Sequence, residues 1–200
     1  MNDAKSFNGY VKKYLAPVLK EQGFRCKANK FVRVKDNGTI NCIVLQKNKY
    51  GGSFTLEVGV TYSFLPTPLN EKKELSTYDV YDCEFRKRIG NTEWYEYGKD
   101  ESDAQKVITE VTRIILEDGF SYFELLEGYS TLFSNLTVED ATNLDSLKKL
   151  GIGTEQRLVL TAARINTYIK NKDKADEFIS WGLVNSIKDS KIYKWFEELV

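Results

Sequence analysis

The hydrophobic period of this 200-residue chain changes from two to about 3.6 near residue 100, and that change restricts the folds available to it. From residue 24 to residue 97, apolar and polar side chains alternate with a period of two, which is typical of strands with one buried face. From Ser102 onward, apolar side chains recur every three or four residues, which is typical of amphipathic helices. A helical pattern over residues 7–19 precedes the strands and ends at Gly23.

Tight turns separate the predicted strands, so consecutive strands are expected to pair antiparallel. One turn lies at Asp36-Asn37-Gly38 and the next at Lys49–Gly52. Residues 53–62 give the clearest alternation, Tyr78–Ile89 is the predicted fourth strand, and residues 93–97 form a short fifth.

The predicted fold class is α+β: an N-terminal helix on a four- to five-stranded antiparallel meander sheet, followed by an all-helical C-terminal part. Residues 1–98 are expected to form the helix and the sheet. Residues 99–200 are expected to form a helical region packed on or beside them. Two interruptions are predicted: Pro17 should bend the first helix, and Asp118-Gly119 should end the helix that begins at Ser102.

The charge balance disfavours nucleic acid as a partner. Lys+Arg and Asp+Glu both number 29, so the formal net charge is zero. A protein that binds nucleic acid without sequence preference normally carries a basic excess, because its affinity comes from neutralised phosphates. The first hundred residues carry 17 basic and 12 acidic side chains, and the second hundred carry 12 and 17. This asymmetry would steer a small anion towards the first half.

The residue types present limit the available chemistry. The chain has no histidine, which excludes a Ser-His-Asp triad, a Cys-His pair and imidazole metal ligands. The three cysteines, Cys26, Cys42 and Cys83, are widely spaced, and no two of them form a Cys-x-x-Cys motif. We interpret them as reduced, hydrophobic thiols of a cytoplasmic protein. No segment approaches the roughly 20 apolar residues of a membrane span, and the N-terminus lacks the apolar run of a signal peptide. We predict no catalytic residue, metal site or cofactor.

The stretch 83–90 is the most informative local pattern. If it is a strand, its side chains alternate between the two faces of the sheet. Cys83, Phe85 and Ile89 are expected on one face, and Glu84, Arg86 and Arg88 on the other. This alternation puts two guanidinium groups about 7 Å apart. They either pair across the sheet with Glu57 or Glu84, or form an anion-binding patch on an open sheet face.

The predicted binding face combines these arginines with other polar and aromatic side chains. Its members are Arg86, Arg88, Glu57, Gln46, Trp94 and Glu84. Trp94 belongs with Tyr95 and Tyr97 to an aromatic cluster that is either an interface or packing at the sheet edge. Gly59 marks either a close approach to the sheet or a β-bulge.

A pair of carboxylates suggests a second use of this face. Asp82 and Glu84 are predicted on one strand face, about 7 Å apart, a separation that suits acid–base catalysis or a hard cation. Carboxylates beside arginines are also ordinary ion-pair partners.

Several short motifs, in their order along the chain, resemble the bacterial family named domain of unknown function 4304. They are Gly23-Phe24-Arg25, Phe31, Val44-Leu45-Gln46, the run from Phe54 to Val60, the run from Cys83 to Gly90, and Trp94. The resemblance covers about residues 5–130. It implies a fold and a bacterial origin, and it transfers no catalytic residue because the family has no established activity.

The function predicted first is a non-enzymatic cytoplasmic binding module that uses the open sheet face. Its partner would be another protein or a small anionic ligand; a toxin-neutralising immunity protein is one form of such a module, and a homodimer is compatible with it. The alternative is an enzyme that acts on an anionic small molecule in the same groove, with Asp82 or Glu84 as base. Binding of single-stranded nucleic acid ranks last, because the aromatic side chains fall mostly on the opposite face.

Overall fold

The helices and strands follow the predicted order. A computed structural model describes residues 4–200, apart from the side chains of residues 4, 5 and 76. The helices are α1 (Ala4–Tyr10), α2 (Ala16–Glu21), α3 (Glu101–Ile114), α4 (Phe120–Glu127), α5 (Tyr129–Asn135), α6 (Val138–Ala141), α7 (Leu144–Leu150), α8 (Glu155–Tyr168), α9 (Lys172–Asn185) and α10 (Lys191–Glu197). The strands are β1 (Arg25–Lys27), β2 (Lys30–Val34), β3 (Thr39–Lys47), β4 (Ser53–Tyr62), β5 (Phe85–Arg88) and β6 (Tyr95–Glu96). None of the described helices is both long enough and apolar enough to span a bilayer.

The six strands form one antiparallel sheet. Strands β1 to β5 are neighbours in sequence order, and β6 pairs with the start of β4 beside β5. Helices therefore precede and follow an antiparallel meander, which confirms the predicted fold class. The short fifth strand predicted over residues 93–97 is β6. The one strand beyond the four or five expected is β1, which is only three residues long, too short for its periodicity to be recognised.

One face of the sheet packs against helices and forms the main core. Side chains on this face of β4 are fully buried: Phe54, Leu56, Val58 and Val60. The Phe7 ring of α1 lies 5.0 Å from the Phe54 ring. We call this the helix-side face. Both faces of β4 are largely buried, and only Ser53 and Glu57 are partly exposed. The period-two pattern is clear because apolar residues take the helix-side positions, whereas serine, threonine, glutamate and glycine take the positions on the other face.

The opposite face carries Arg86 and Arg88, and we call it the arginine face. In the strand register, Gly59 lies opposite Arg86, and Glu57 lies opposite Arg88. This face is covered in part by the segment 78–83. Its side chains form an apolar cluster with side chains of β3: Tyr78, Val80 and Cys83 with Ile40, Cys42 and Val44. The expectation of an open sheet face is therefore wrong for β3, and the uncovered part lies along β5.

The predicted fourth strand is mostly not a strand. Only Phe85–Arg88 pairs with β4, and Val80–Asp82 is a turn of 3₁₀ helix. The Oδ1 atom of Asp79 accepts a hydrogen bond from the Val80 N–H at 2.6 Å, and the Oδ2 atom of Asp82 accepts one from the Asp79 N–H at 2.8 Å. These two carboxylates cap the turn and divert the chain from the extended conformation.

This diversion corrects the expected direction of one side chain. Cys83 lies on the arginine face against Gly59, not on the face of Phe85. A Cβ atom on Gly59 would lie 2.8 Å from both Cβ and Sγ of Cys83. Since pairing of β4 continues through Gly59 on both sides, the glycine marks a close approach to the sheet and not a β-bulge.

Two helical interruptions take the form of π-helical turns. Residues Val11–Leu15 form such a turn between α1 and α2, and Pro17 is the second residue of α2, inside a helical segment that continues from α1. Because proline has no N–H, the helical hydrogen-bond pattern is interrupted at this position. The prediction that Asp118-Gly119 ends a helix is wrong, because Ile115–Gly119 is a π-helical turn that joins α3 directly to α4. Gly119 is closely packed: a Cβ there would lie 3.3 Å from Ile89 and 3.6 Å from Val58.

The chain divides between Glu124 and Leu125 into two compact units. The predicted boundary between residues 1–98 and 99–200 follows the change of secondary structure between β6 and α3. Helix α3 nevertheless belongs to the first unit. Its Glu101 accepts hydrogen bonds from Lys13 and Tyr14, both at 2.6 Å, and Ile114 packs beside Gly90.

The second unit is entirely helical and is built around α8. The Nδ2 atom of buried Asn166 donates hydrogen bonds to the carbonyl oxygens of Phe133 and Ala162, at 3.0 and 2.9 Å, which ties α8 to α5. Helix α9 packs closely on α10 through Gly182, where a Cβ would lie 2.3 Å from the ring of Phe196.

Candidate functional site

Four side chains form an exposed cluster on the uncovered part of the arginine face, and we call it the arginine patch: Arg86, Arg88, Tyr81 and Trp94. Strand β5 supplies the two arginines, whose alternate positions place them on one face of the sheet. The 3₁₀ turn supplies Tyr81, which is 47% exposed while its neighbour Val80 is fully buried. The loop between β5 and β6 supplies Trp94, which is 40% exposed.

Arg86 is the arginine of this patch whose guanidinium is available to bind an anion. Its side chain is exposed, and its guanidinium carbon lies 5.0 Å from the centroid of the Tyr81 ring. Within residues 4–200, no carboxylate forms an ion pair with it. Stacking on an aromatic ring orients a guanidinium and leaves its hydrogen-bond donors at the edge of the plane unused. Arg86 is therefore held ready to bind a carboxylate or a phosphate.

Tyr81 remains a neutral phenol under ordinary conditions. Partial burial, followed by the charge of Glu57, raises the pKa of Tyr81 above its ordinary value. A neutral phenol offers both a hydrogen-bond donor and an acceptor beside Arg86. Sequence reasoning missed this residue because Tyr81 was assigned to a strand. The motif Asp79-x-x-Asp82 was a signal for the capped turn that presents it.

Arg88 is already paired, as the structural interpretation of these arginines predicted. Its Nε atom lies 3.3 Å from Oε1 of Glu57, and its Nη1 atom lies 2.8 Å from Oε1 of Glu93. Its guanidinium also lies 6.0 Å from the Trp94 ring. Because Arg88 is about half exposed, each pair contributes only a few tenths of a kcal/mol to about 1 kcal/mol. The pair with Glu93 joins β5 to the loop that contains Trp94.

The other predicted members of the face are in different environments. Gln46 is half-buried on the arginine face, opposite Thr55 in the strand register. Glu84 is only 7% exposed, so it is not part of the exposed patch. The aromatic cluster divides: Trp94 is exposed, whereas Tyr95 and Tyr97 are buried against Phe54.

The predicted pair of Asp82 and Glu84 on one strand face does not exist. Asp82 lies in the 3₁₀ turn, where it caps the turn and binds Lys73. Asp79 forms an ion pair with Lys30. These carboxylates hold the turn in place and are engaged by lysines and backbone N–H groups. Among the residues that the structure describes, no three cysteine, aspartate or glutamate side chains are arranged to hold a metal ion.

The three cysteines differ in accessibility, which gives a simple test of the packing on the arginine face. Cys26 is exposed, whereas Cys42 and Cys83 are buried side by side. Burial, followed by the contact with Cys42, raises the pKa of Cys83 well above its ordinary value. Because the thiolate is the reactive form, we expect one thiol per native chain to react with a disulfide reagent and three to react in guanidinium. Rapid reaction of two or three thiols in the native protein would contradict this packing.

Comparison with known proteins places the chain in a family. The fold and the patch define a class of protein: an α+β protein in which a capped 3₁₀ turn covers part of the sheet. The family model described as Domain of unknown function (DUF4304) matches residues 15–125, more than half of the chain. The chain belongs to this family, as the sequence resemblance indicated. The matched region contains the sheet, the arginine patch and α3. No curated protein and no solved structure matches the chain.

Proposed function

We propose that this chain is a non-enzymatic binding protein whose arginine patch docks another protein. The observation that carries the proposal is the state of Arg86, which is exposed, stacked on Tyr81 and without an ion-pair partner within residues 4–200. Arginine, tyrosine and tryptophan are the residue types that contribute most to protein–protein binding energy. Arg86, Tyr81 and Trp94 bring all three together on one exposed surface. The partner would present a carboxylate to Arg86.

Two features favour a partner protein over a small-molecule substrate. Three cavities of the described chain lie along β1 and β2, and neither Arg86 nor Trp94 lines any of them. Small-molecule sites are usually concave, whereas protein interfaces are often flat. The alternative, an enzyme with Asp82 or Glu84 as base, has less support because Asp82 caps a turn and Glu84 is buried.

The proposed setting is the bacterial cytoplasm. Support for the compartment comes from the free thiols, since Cys42 and Cys83 lie together in one apolar cluster without being joined as a disulfide. Reduced cysteines are normal in the cytoplasm and uncommon in secreted proteins. Support for the origin comes from the family resemblance described above.

The test uses photo-crosslinking from the patch in cells that produce the chain. A benzophenone amino acid replaces Tyr81 in one variant and Gln105, an exposed residue of α3, in the other. We expect ultraviolet light to join the Tyr81 variant, but not the Gln105 variant, to one defined protein. Adding Arg86→Glu should reduce the yield of that adduct at least tenfold, because a hot-spot residue contributes about 2 kcal/mol or more.

The matched control for the charge reversal is Lys106→Glu. Lys106 is an exposed cation of α3 on the same compact unit, and its replacement should leave the Tyr81 adduct unchanged. Circular dichroism checks that both variants fold. The proposal fails if no defined adduct forms at Tyr81, or if Arg86→Glu and Lys106→Glu have the same effect on a folded chain.

A further inference from the structure

The second feature able to bind a ligand lies at the opposite edge of the sheet. A groove of about 1020 Å³ lies between the N-terminal helical segment and β1, the edge strand far from β5. Exposed Cys26 and Pro17 are among the residues that line it. The volume is at the upper end of the range for ligand pockets. The groove therefore has room for a peptide segment.

The charge of this groove is entirely positive. Lys12, Lys20 and Arg25 line it, and no aspartate or glutamate does. All three cations are exposed, and none forms an ion pair within the described part of the chain. Partial burial raises the pKa of the Cys26 thiol, and the charge of nearby Lys12 opposes this by a smaller amount. The groove is a concentrated positive site on a protein of zero net charge.

The spacing of the cations suits an extended chain of acidic residues. Lys12 and Lys20 are eight residues apart along a helical segment, which separates them by roughly 12 Å. A single phosphate or carboxylate contacts both only if the two long side chains converge on it. Carboxylates on alternate residues of an extended peptide repeat every 7 Å or so and can follow the whole groove.

The edge strand offers backbone groups for such a peptide. In the β1–β2 hairpin, Lys27 and Lys30 flank a two-residue turn, and Cys26 is the next residue, opposite Phe31. A two-residue turn closes on a hydrogen-bonded pair, so the following pair is not hydrogen-bonded within the hairpin. The N–H and C=O of Cys26 therefore point outward from the free edge of the sheet, where an added strand would bind them.

We infer that this groove binds an extended acidic peptide segment of a partner protein, which lies along the edge of β1 with its carboxylates on Lys12, Lys20 and Arg25. This site is separate from the arginine patch, at the other edge of the same sheet. Its function does not depend on Arg86. The two sites can therefore be tested independently.

The test measures protection of the exposed thiol in the groove. Cys26 is exposed, whereas Cys42 and Cys83 are buried, so we expect a neutral disulfide reagent, 4,4′-dithiodipyridine, to modify Cys26 in the native protein. We expect a hexaglutamate peptide at low salt to slow modification of Cys26 at least fivefold, because the bound peptide covers the thiol. Salt should reverse the protection, since exposed ion pairs are screened. Citrate and phosphate, at the same total charge concentration, should protect much less.

Paired variants assign any protection to the groove. Lys12→Gln with Lys20→Gln should remove most of the protection, whereas Lys99→Gln with Lys106→Gln, which removes two exposed cations elsewhere on the same unit, should retain it. Arg86→Glu should also retain it. The inference is overturned if hexaglutamate gives no protection, if citrate protects as well as the peptide does, or if both double variants behave alike.

Discussion

Replacement of Phe54 by alanine is expected to destabilise the first compact unit by about 3–5 kcal/mol. Phe54 has no exposed surface, and its ring lies among the rings of Phe7, Tyr97 and Tyr95, at centroid distances of 5.0, 6.0 and 5.6 Å. These rings belong to α1, β4 and the region of β6. Truncation would leave a cavity that three separate segments cannot easily fill, and the cost of a core truncation grows with the cavity that remains.

Urea denaturation measures this loss if the first unit is observed alone. Trp94 lies in that unit, whereas Trp181 and Trp195 lie in the second, so Trp181→Phe with Trp195→Phe leaves Trp94 fluorescence as the reporter. The matched control is Tyr50→Ala, since Tyr50 is 85% exposed and its loss should change the free energy of unfolding by less than about 0.5 kcal/mol. A loss below about 1.5 kcal/mol for Phe54→Ala would contradict the aromatic packing described here.

The parts of the fold that sequence predicted are those with a sustained local period. Strand β4 runs for ten residues, and its alternate side chains are buried on the helix-side face, so its pattern repeats often enough to be recognised. The hairpin turn at Gly38 is also predictable from local sequence, because its backbone has a φ of 83°, a conformation that glycine adopts more easily than other residues. Such features depend on neighbours in the sequence and not on distant contacts.

The segment 78–83 was misinterpreted because its spacing is ambiguous. Tyr78 and Val80 alternate with polar residues as they would in a strand, yet both pack on the arginine face from a capped turn. A single turn of 3₁₀ helix is too short to show a period of its own. The contact of Cys83 with Gly59 joins residues far apart in sequence, and no local pattern reports it.

The site was only partly predictable for the same reason. Arg86 and Arg88 are equivalent in the sequence pattern, and the pattern correctly placed both on one face of β5. Their different states depend on tertiary partners: Glu57 and Glu93 engage Arg88, and Tyr81 lies under Arg86. The groove at β1 was not predicted at all. Its lining comes from a helical segment and an edge strand, and only the tertiary structure brings Lys12 and Arg25 together.

Replacement of Gly59 by alanine is the second change with a large expected effect, about 1–3 kcal/mol of destabilisation. The new Cβ would lie 2.8 Å from Cβ and Sγ of Cys83 and 3.3 Å from Cα of Val80. The backbone of the 3₁₀ turn would have to move outward, and Tyr81, which lies in that turn, would move with it. We therefore expect Gly59→Ala to weaken partner binding at the arginine patch as well as stability, although Gly59 itself is buried.

A double-mutant cycle tests this cause of the Gly59→Ala effect. Cys83→Gly removes the two atoms nearest the new Cβ, so the double variant should be at least about 1 kcal/mol more stable than the sum of the two single effects predicts. Gly9→Ala is the matched control, because its Cβ would meet no atom within 4 Å and alanine is the better helix former; it should be neutral or stabilising by up to about 1 kcal/mol. The outcome that contradicts this is additivity: if the losses in free energy of unfolding for Gly59→Ala and Cys83→Gly simply add in the double variant, the turn does not contact the sheet closely at Gly59. The close contact that places Tyr81 beside Arg86 would then be absent.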